Sequence, residues 1–178
     1  MRQTNNNIPF MVSQVLDKDT IRIEILPHLS VAKRGFQTTS CLIEVVNCIL
    51  YKLKTGCQWY LLPVRSLFSV VVLSPKTIFG HFRKCCKSGE CENCWTKILE
   101  KHKSFLDLSS ADLDGSHATV LRGGEEVAYQ GRKKRKTTNS LYLSDRQGLP
   151  LALSNPMAGN HNDLYAIEKS SEELFNFY

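Results

Sequence analysis

The hydrophobic periodicity of the chain changes near residue 104, and this change limits the possible folds more than any other feature of the sequence. Before it, apolar residues recur at intervals of three and four, which is typical of amphipathic helices. After it, short segments alternate apolar and polar residues, as strands do. We therefore predict an α+β protein with a helical domain at residues 1–103 and a second domain of strands and one helix at residues 104–178.

Four helices are predicted in the first domain. They cover Asp17–Leu29, Thr38–Leu53, a segment that begins at Ser74 and Pro75, and about Glu90–His102. In the second helix, Thr38, Thr39 or Ser40 can cap the start, and Gly56 lies where a left-handed residue would end it.

The third predicted helix is amphipathic, with Ser74 suited to the N-cap and Pro75 to the first helical position. We expect its apolar side, Ile78, Phe79, Phe82 and Cys86, to be buried. The opposite side is cationic and has Lys76, His81, Arg83, Lys84 and Lys87. Such a surface is suited to contact with phosphates.

Three strands and a final helix are predicted in the second domain. The first strand includes Ala111–Asp114, and Thr138–Ser144 forms a hairpin with Leu149–Ser154. Asn162 or Asp163 can cap the final helix, in which Leu164, Ile167 and Leu174 fall on one side.

The net charge of +6 is unevenly divided. Residues 1–105 have 15 Lys and Arg against 7 Asp and Glu, a net charge of +8, whereas residues 106–178 have 8 against 10, a net charge of −2. A basic domain indicates either a polyanionic partner, with nucleic acid first among the candidates, or a solvated surface that binds nothing. The basic run Arg132–Lys136 leaves similar alternatives: nucleic-acid contact, a localisation signal or a solvated turn.

Membrane insertion and export are not expected. The longest apolar run, Leu67–Leu73, is interrupted by Ser69 and is far shorter than the roughly 20 residues of a membrane helix. The N-terminus lacks the basic, apolar and small-residue order of a secretory signal. We expect a cytoplasmic protein with no membrane partner.

The seven cysteines are an odd number, and with no export signal they favour reduced thiols over a disulfide framework. His81, Cys85, Cys86, Cys91 and Cys94 could supply zinc ligands, but a structural zinc site needs four that converge. Because there is no second C-x-x-C pair, we favour packing of free thiols and keep a zinc site as the alternative.

Asp112 and Asp114 are two residues apart, so on a strand both face the same way. Carboxylates at a strand end suit magnesium, and two bound metals can support phosphoryl transfer. The alternative is an exposed polar edge, because the local sequence has no further carboxylates.

Three segments, taken in order, resemble a known family. They are ILYKLKTGCQWYLLP (Ile49–Pro63), TIFGHFRK (Thr77–Lys84), and ADLDGSHATV through GRKKRKTTNSLYLSDRQGLPLALSNPMAGNHNDL (Ala111–Leu164). Together they look like the front half of bacterial insertion-sequence transposases of the insertion-sequence-five type, in the DDE superfamily. The likeness extends from about residue 38 to the end of the sequence.

The resemblance implies a helix-turn-helix-like domain that helps to bind transposon-end DNA, followed by an RNase H-like catalytic domain, here incomplete with three strands and one helix. It implies Asp114 as the first catalytic aspartate and a magnesium ligand, with Asp112 as a second candidate. The second aspartate and the glutamate of such enzymes have no counterpart in this sequence. We therefore expect a truncated transposase, either a first reading frame or a decayed copy, that is inert by itself.

The resemblance also implies the partners. The main partner is double-stranded DNA at transposon ends, and the further candidates are a second copy of the chain or a downstream-frame transposase. The implied location is the nucleoid of the bacterial cytoplasm. No small-molecule substrate is expected, and Mg2+ is a cofactor of the complete enzyme. The implied DNA contacts are Lys76, Thr77, His81, Arg83, Lys84, Lys87, Arg132, Lys133, Lys134, Arg135 and Lys136.

Cys85 and Cys91 depart from the family, since relatives commonly have Trp there. The alternatives are a DNA-binding regulator, a zinc-dependent binding protein and a non-functional fragment.

Overall fold

The computed structural model describes residues 14–30, 41–120, 124–165 and 167–175. The chain divides into two compact units, Met1–Ile98 and Leu99–Tyr178, close to the boundary predicted after residue 103. The first unit is helical, and the second is built on a five-stranded antiparallel sheet, which confirms the α+β class.

The helices are short to medium in length. They are α1 (Lys18–Thr20), α2 (Leu42–Thr55), α3 (Val64–Leu67), α4 (Pro75–Lys87), α5 (Glu90–Lys101) and α6 (Ile167–Phe175), with a π-helical turn at Ile21–Ile25 and 3-10 turns at Leu26–His28, Trp59–Leu61 and Lys103–Phe105. Within the described ranges, none of these helices is long and apolar enough to cross a membrane.

The ends of the first two predicted helices follow local sequence signals. The helix predicted over Asp17–Leu29 is a continuous helical stretch of mixed hydrogen-bond pattern, and Oδ1 of Asp17 caps it by accepting from the Thr20 N–H at 2.8 Å. At the end of α2, Gly56 has a φ of 66° and its N–H donates to the Lys52 carbonyl at 2.9 Å, as predicted. The predicted caps Thr38, Thr39 and Ser40 lie outside the described residues.

Helix α2 is central to the first unit because two apolar clusters pack on it. One cluster joins it to α3 and α4, and the other joins it to the π-helical turn. The buried residues of the first are Val45, Cys48, Leu62, Leu67, Phe68 and Ile78, and those of the second are Ile21, Ile43 and Val46.

Helix α4 begins as the sequence predicts but buries a narrower stripe. Oγ of Ser74 accepts from the Thr77 N–H at 3.2 Å, and Pro75 occupies the first helical position. Ile78 is buried and Phe82 is half-buried, but Phe79 is 39% exposed and Cys86 is exposed, so their predicted burial is wrong. The Trp59 ring lies 5.3 Å from the ring centroids of both Phe79 and Phe82, and it covers only part of Phe79.

The sheet of the second unit is organised around one long strand. Its strands are β1 (Ala111–Thr119), β2 (Ala128–Gln130), β3 (Arg135–Asp145), β4 (Pro150–Leu153) and β5 (Met157–Ala158). Strand β1 pairs along one side of β3, and β2, β5 and β4 pair with successive segments of its other side. The predicted hairpin is confirmed as β3 and β4, but the prediction of three strands is wrong because β2 and β5 also pair with β3.

Helix α6 covers one face of this sheet. Its Leu174 packs with Leu141 and Ala152 in a buried cluster, with Ile167 against it. The helix begins at Ile167, not directly after Asn162 or Asp163. Leu164 precedes it and is 75% exposed, so its predicted place on the apolar side of the helix is wrong.

Candidate functional site

The cationic side of α4 is exposed. Lys76, Arg83 and Lys87 follow one another at intervals of seven and four, so they lie on one side of the helix, and Lys84 lies beside them. We call these four residues the α4 basic face. In the part of the chain that the structure describes, none of the four forms an ion pair with a carboxylate. Thr77, the other predicted contact on this helix, is also exposed.

His81 is not part of this exposed cationic surface, although the sequence places it there. Its side chain is half-buried on the flank of α4. Burial lowers the pKa of His81 below its usual value, and the nearby positive charge of Lys84 lowers it further. At pH 7 the imidazole is therefore mainly neutral and adds little charge to the α4 basic face.

The second predicted cationic segment lies in the other unit, at the turn between β2 and β3. All five residues of Arg132–Lys136 are exposed, and Arg135 and Lys136 already belong to β3. Lys134 has a φ of 49°, and Nε of Arg135 donates to the Lys133 carbonyl at 3.2 Å. The turn itself thus directs several cations into solvent.

Asp114 lies on the exposed side of β1, and its carboxylate is at the open edge of the sheet. Leu141 is the register partner of Gly115 on β3. Its backbone N–H donates to Oγ of Ser154, and its carbonyl accepts from the Ser154 N–H, so both groups point away from β1. The backbone groups of Gly115 therefore point away from β3. The N–H of Gly115 donates to Oδ1 of Asp114 at 2.9 Å, so this carboxylate lies along the edge that no described strand covers.

Asp112 faces the same way as Asp114 and is exposed, but the pair does not complete a magnesium site. Among the described residues, no group of three or more His, Cys, Asp or Glu side chains could hold a metal ion. A hard divalent cation needs about six oxygen ligands. The described side chains do not fit a two-metal site, and we derive no metal-dependent step from them.

The cysteine cluster is arranged differently from either prediction. Cys85 of α4 and Cys91 of α5 are paired as a disulfide, whereas the sequence favoured reduced thiols over a disulfide framework; five other cysteines are free. The two helices turn back at Ser88 and Gly89, where Gly89 has a φ of 71°, and this turn brings the two cysteines together. The described cluster contains no zinc-type ligand set.

Cys94 is buried, as the packing interpretation of the cluster predicts, whereas Cys86 is exposed. Cys48 of α2, outside the cluster, is also buried. Burial raises the pKa of the Cys48 thiol to about 12, with the Glu44 charge as a smaller cause, and it also raises the pKa of Cys94. Both side chains are therefore neutral thiols that fill apolar space.

Sequence reasoning missed a polar cluster on the covered face of the sheet. The Asp163 carboxylate occupies the space where a Cβ at Gly115 would stand, and its Oδ1 accepts from Nδ2 of Asn139 at 2.9 Å. Asn139 is fully buried, and its Oδ1 has no hydrogen-bond partner among the described residues. A glycine within a strand pattern is a signal of close approach, and Gly115 is the residue that could have indicated it.

Comparison with known proteins adds no relative to this picture. No protein-family model, curated protein or solved structure matches the chain. The resemblance to insertion-sequence transposases therefore rests on the quoted sequence segments.

Proposed function

We propose that this chain binds double-stranded DNA and is the end-binding part of an insertion-sequence-five type transposase. One observation supports the binding function above the others: α4 presents four exposed cations, and among the described residues none of them forms an ion pair, although the Glu90 carboxylate interacts electrostatically with Lys84. The resemblance of Ile49–Pro63 and Thr77–Lys84 to the family supports the assignment to transposon ends.

The length of the α4 basic face is suited to a DNA groove. At about 1.5 Å of rise per residue, Lys76 and Lys87 are roughly 16 Å apart along the helix. The major groove of B-DNA is about 12 Å wide and admits one α-helix. In this proposal α4 is the recognition helix of a helix-turn-helix-like domain, and cations near its two ends reach phosphates on either side of the groove.

The fixed position of α4 supports this role. Its start is held by the Ser74 cap, and Ile78 is completely buried against α2 and α3. Trp59 packs on the same helix from the 3-10 turn. A cationic side chain on such a helix approaches DNA from a defined direction, and this is what positions a protein on a duplex.

The second unit has two proposed roles. The exposed cations of Arg132–Lys136 would contact backbone phosphates, and Asp114 would be the first aspartate of an RNase H-like DDE site. The exposure of Asp114 at an open strand edge supports its access to a DNA backbone. A DDE site needs further carboxylates beside Asp114, so the function that we propose for the described residues is DNA binding, and strand cleavage is proposed only for a complete enzyme.

A salt titration tests the proposal. Fluorescence anisotropy with a labelled duplex should show affinity that falls steeply with salt, since each phosphate contact adds about −0.9 to the slope of log K against log salt. With four contacts, the slope is about −3.6, and the affinity falls roughly 100-fold between 50 and 200 mM salt. Absence of binding at the lower salt, or binding that salt does not weaken, would contradict the proposal.

The same duplex, incubated with magnesium, tests the catalytic assignment separately. We expect no nicked or cleaved product from this chain alone. Efficient strand cleavage would contradict the view that Asp114 needs further carboxylates, while it would leave the DNA-binding proposal standing.

A further inference from the structure

The disulfide between Cys85 and Cys91 joins two helices at their shared corner. Cys85 is in the last turn of α4, and Cys91 is in the first turn of α5. Their Cα atoms are 5.7 Å apart, within the range of roughly 4.4–6.8 Å that disulfides adopt. The backbone of the two helices thus holds the two cysteines at bonding separation.

The corner is fixed by contacts that do not involve sulfur. The N–H of Ser88 donates to the Lys84 carbonyl at 3.0 Å, and its Oγ donates to the same carbonyl at 3.0 Å. On the α5 side, Glu90 accepts from the N–H and the Oγ of Ser30. Because of these bonds, opening the disulfide would leave the two cysteines close enough to pair again.

The two cysteines differ in access. Cys91 is exposed, whereas Cys85 is half-buried. Cys91 lies in the first turn of α5, and Cys85 lies in the last turn of α4. Since access to the attacking thiol limits disulfide exchange, the exposed Cys91 is the better placed nucleophile.

We propose that Cys85 and Cys91 are a reversible thiol–disulfide site that exchanges with low-molecular-weight disulfides such as glutathione disulfide. The Cys91 thiolate attacks one sulfur of that disulfide, forms a mixed disulfide on Cys91 and releases one small thiolate. The Cys85 thiolate then attacks the Cys91 sulfur and expels the second small thiolate. Two electrons pass to the small disulfide, and the two cysteine protons end on the two thiols released.

The inference goes beyond the proposed function and does not depend on DNA binding. Its direct test is peptide mapping of the purified full chain after treatment with glutathione disulfide, with remaining thiols alkylated. We expect the segment that contains Cys85 and Cys91 to lose two hydrogen atoms of mass and to take up two alkyl groups after reduction. Complete alkylation of both cysteines after the oxidant would overturn the proposal.

Three variants assign the roles. Cys85→Ser should trap glutathione on Cys91, because the second step is blocked, while Cys91→Ser should accumulate much less glutathione on Cys85. Cys86→Ser is the matched control, since Cys86 is exposed and adjacent but unpaired, and it should keep the intramolecular bond. Loss of the bond in Cys86→Ser, or its retention in Cys85→Ser, would assign the disulfide to another pair and overturn the proposal.

Thermal unfolding provides a readout in the unmodified chain. A disulfide that closes a short loop stabilises a protein by restricting the unfolded chain, and reduction should lower the Tm by about 5 °C. The Cys85→Ser variant should have the Tm of the reduced protein and should not respond to reductant. An equal response to reductant in this variant would contradict the assignment.

Discussion

The carboxylate of Asp163 lies against the backbone of Gly115, in the space that any side chain at position 115 would fill. This contact joins the segment before α6 to the middle of β1, one residue from Asp114. Nδ2 of Asn139 donates to the same carboxylate at 2.9 Å, so the contact also extends to the buried face of β3. The close approach of the Asp163 carboxylate to β1 therefore requires a glycine at position 115.

Replacing Gly115 with alanine should displace the Asp163 carboxylate. Nδ2 of the buried Asn139 would then lose its acceptor, which costs about 1–3 kcal/mol. We expect Gly115→Ala to lower the free energy of unfolding by this amount in chemical denaturation. Gly131→Ala is the matched control, because a Cβ there meets nothing within 4 Å. Equal stability of the two variants would contradict the described contact.

Gly159→Ala should be more destabilising than Gly115→Ala. A Cβ at Gly159 would overlap Oγ1 and the backbone carbonyl of Thr137, which accepts from the Gly159 N–H at 3.1 Å. The Thr137 backbone belongs to β3 and cannot rotate away as the Asp163 side chain can, so the cost is at or above the roughly 1–3 kcal/mol of overpacking. The same denaturation series measures it, and a smaller loss than in Gly115→Ala would count against the prediction.

Asp145 is expected to be essential for the stability of the second unit. It is 1% exposed, and its carboxylate accepts from three backbone N–H groups, those of Asp107, Gln147 and Leu149. Asp145→Ala leaves these donors without their acceptor and should cost about 2–4 kcal/mol. Asp145→Asn keeps one acceptor oxygen and should cost less. Thermal unfolding compares the two, and equal stability of Asp145→Ala and the parent chain would refute this role.

The unfolding of the first unit should depend on the titration of His81. Its pKa is lower in the folded chain than in the unfolded chain, where it is about 6.5. As the pH falls below the pKa of the unfolded chain, the unfolded chain takes up a proton more readily than the folded chain. His81 therefore lowers the free energy of unfolding at acidic pH. Above the pKa of the unfolded chain this effect is absent. His81→Gln should flatten this dependence. NMR titration of the imidazole checks the cause directly, and a pKa at or above 6.5 would contradict it.

Features set by neighbouring residues in the sequence were predictable. The Ser74 cap, the Gly56 end of α2 and the hairpin of β3 with β4 depend on contacts within a few residues, and the structure has all three. The α+β class and the change from helices to strands near residue 104 depend on hydrophobic periodicity, which can be read within short segments of the sequence.

Features set by distant residues were not predictable. Strands β2 and β5 have three and two residues, too few for a periodic pattern, and they form because β3 is long enough to pair with them. Phe79 is exposed because Trp59 covers only part of its ring, and the sequence does not indicate where Trp59 packs. The pairing of Cys85 with Cys91 depends on the angle between two helices.

In the candidate site too, the identity of the residues was predictable from local sequence, whereas their burial and contacts depend on distant residues. The cations of α4 were identified from helical spacing, but the half-burial of His81 comes from tertiary packing. The carboxylate of Asp114 was identified from its strand, but its place at an open edge follows from the bonding of Leu141 to Ser154. The Asp163 contact joins residues that are 48 positions apart in the sequence.

The most direct test of the account compares the salt dependence of DNA binding in Arg83→Ala and in Arg65→Ala, an exposed arginine on α3 outside the α4 basic face. If Arg83 contacts a phosphate, its loss should weaken binding and make the slope of log K against log salt about 0.9 less steep. Arg65→Ala should keep the parent slope. Unchanged affinity and slope in Arg83→Ala, or an equal change in both variants, would contradict DNA binding through α4.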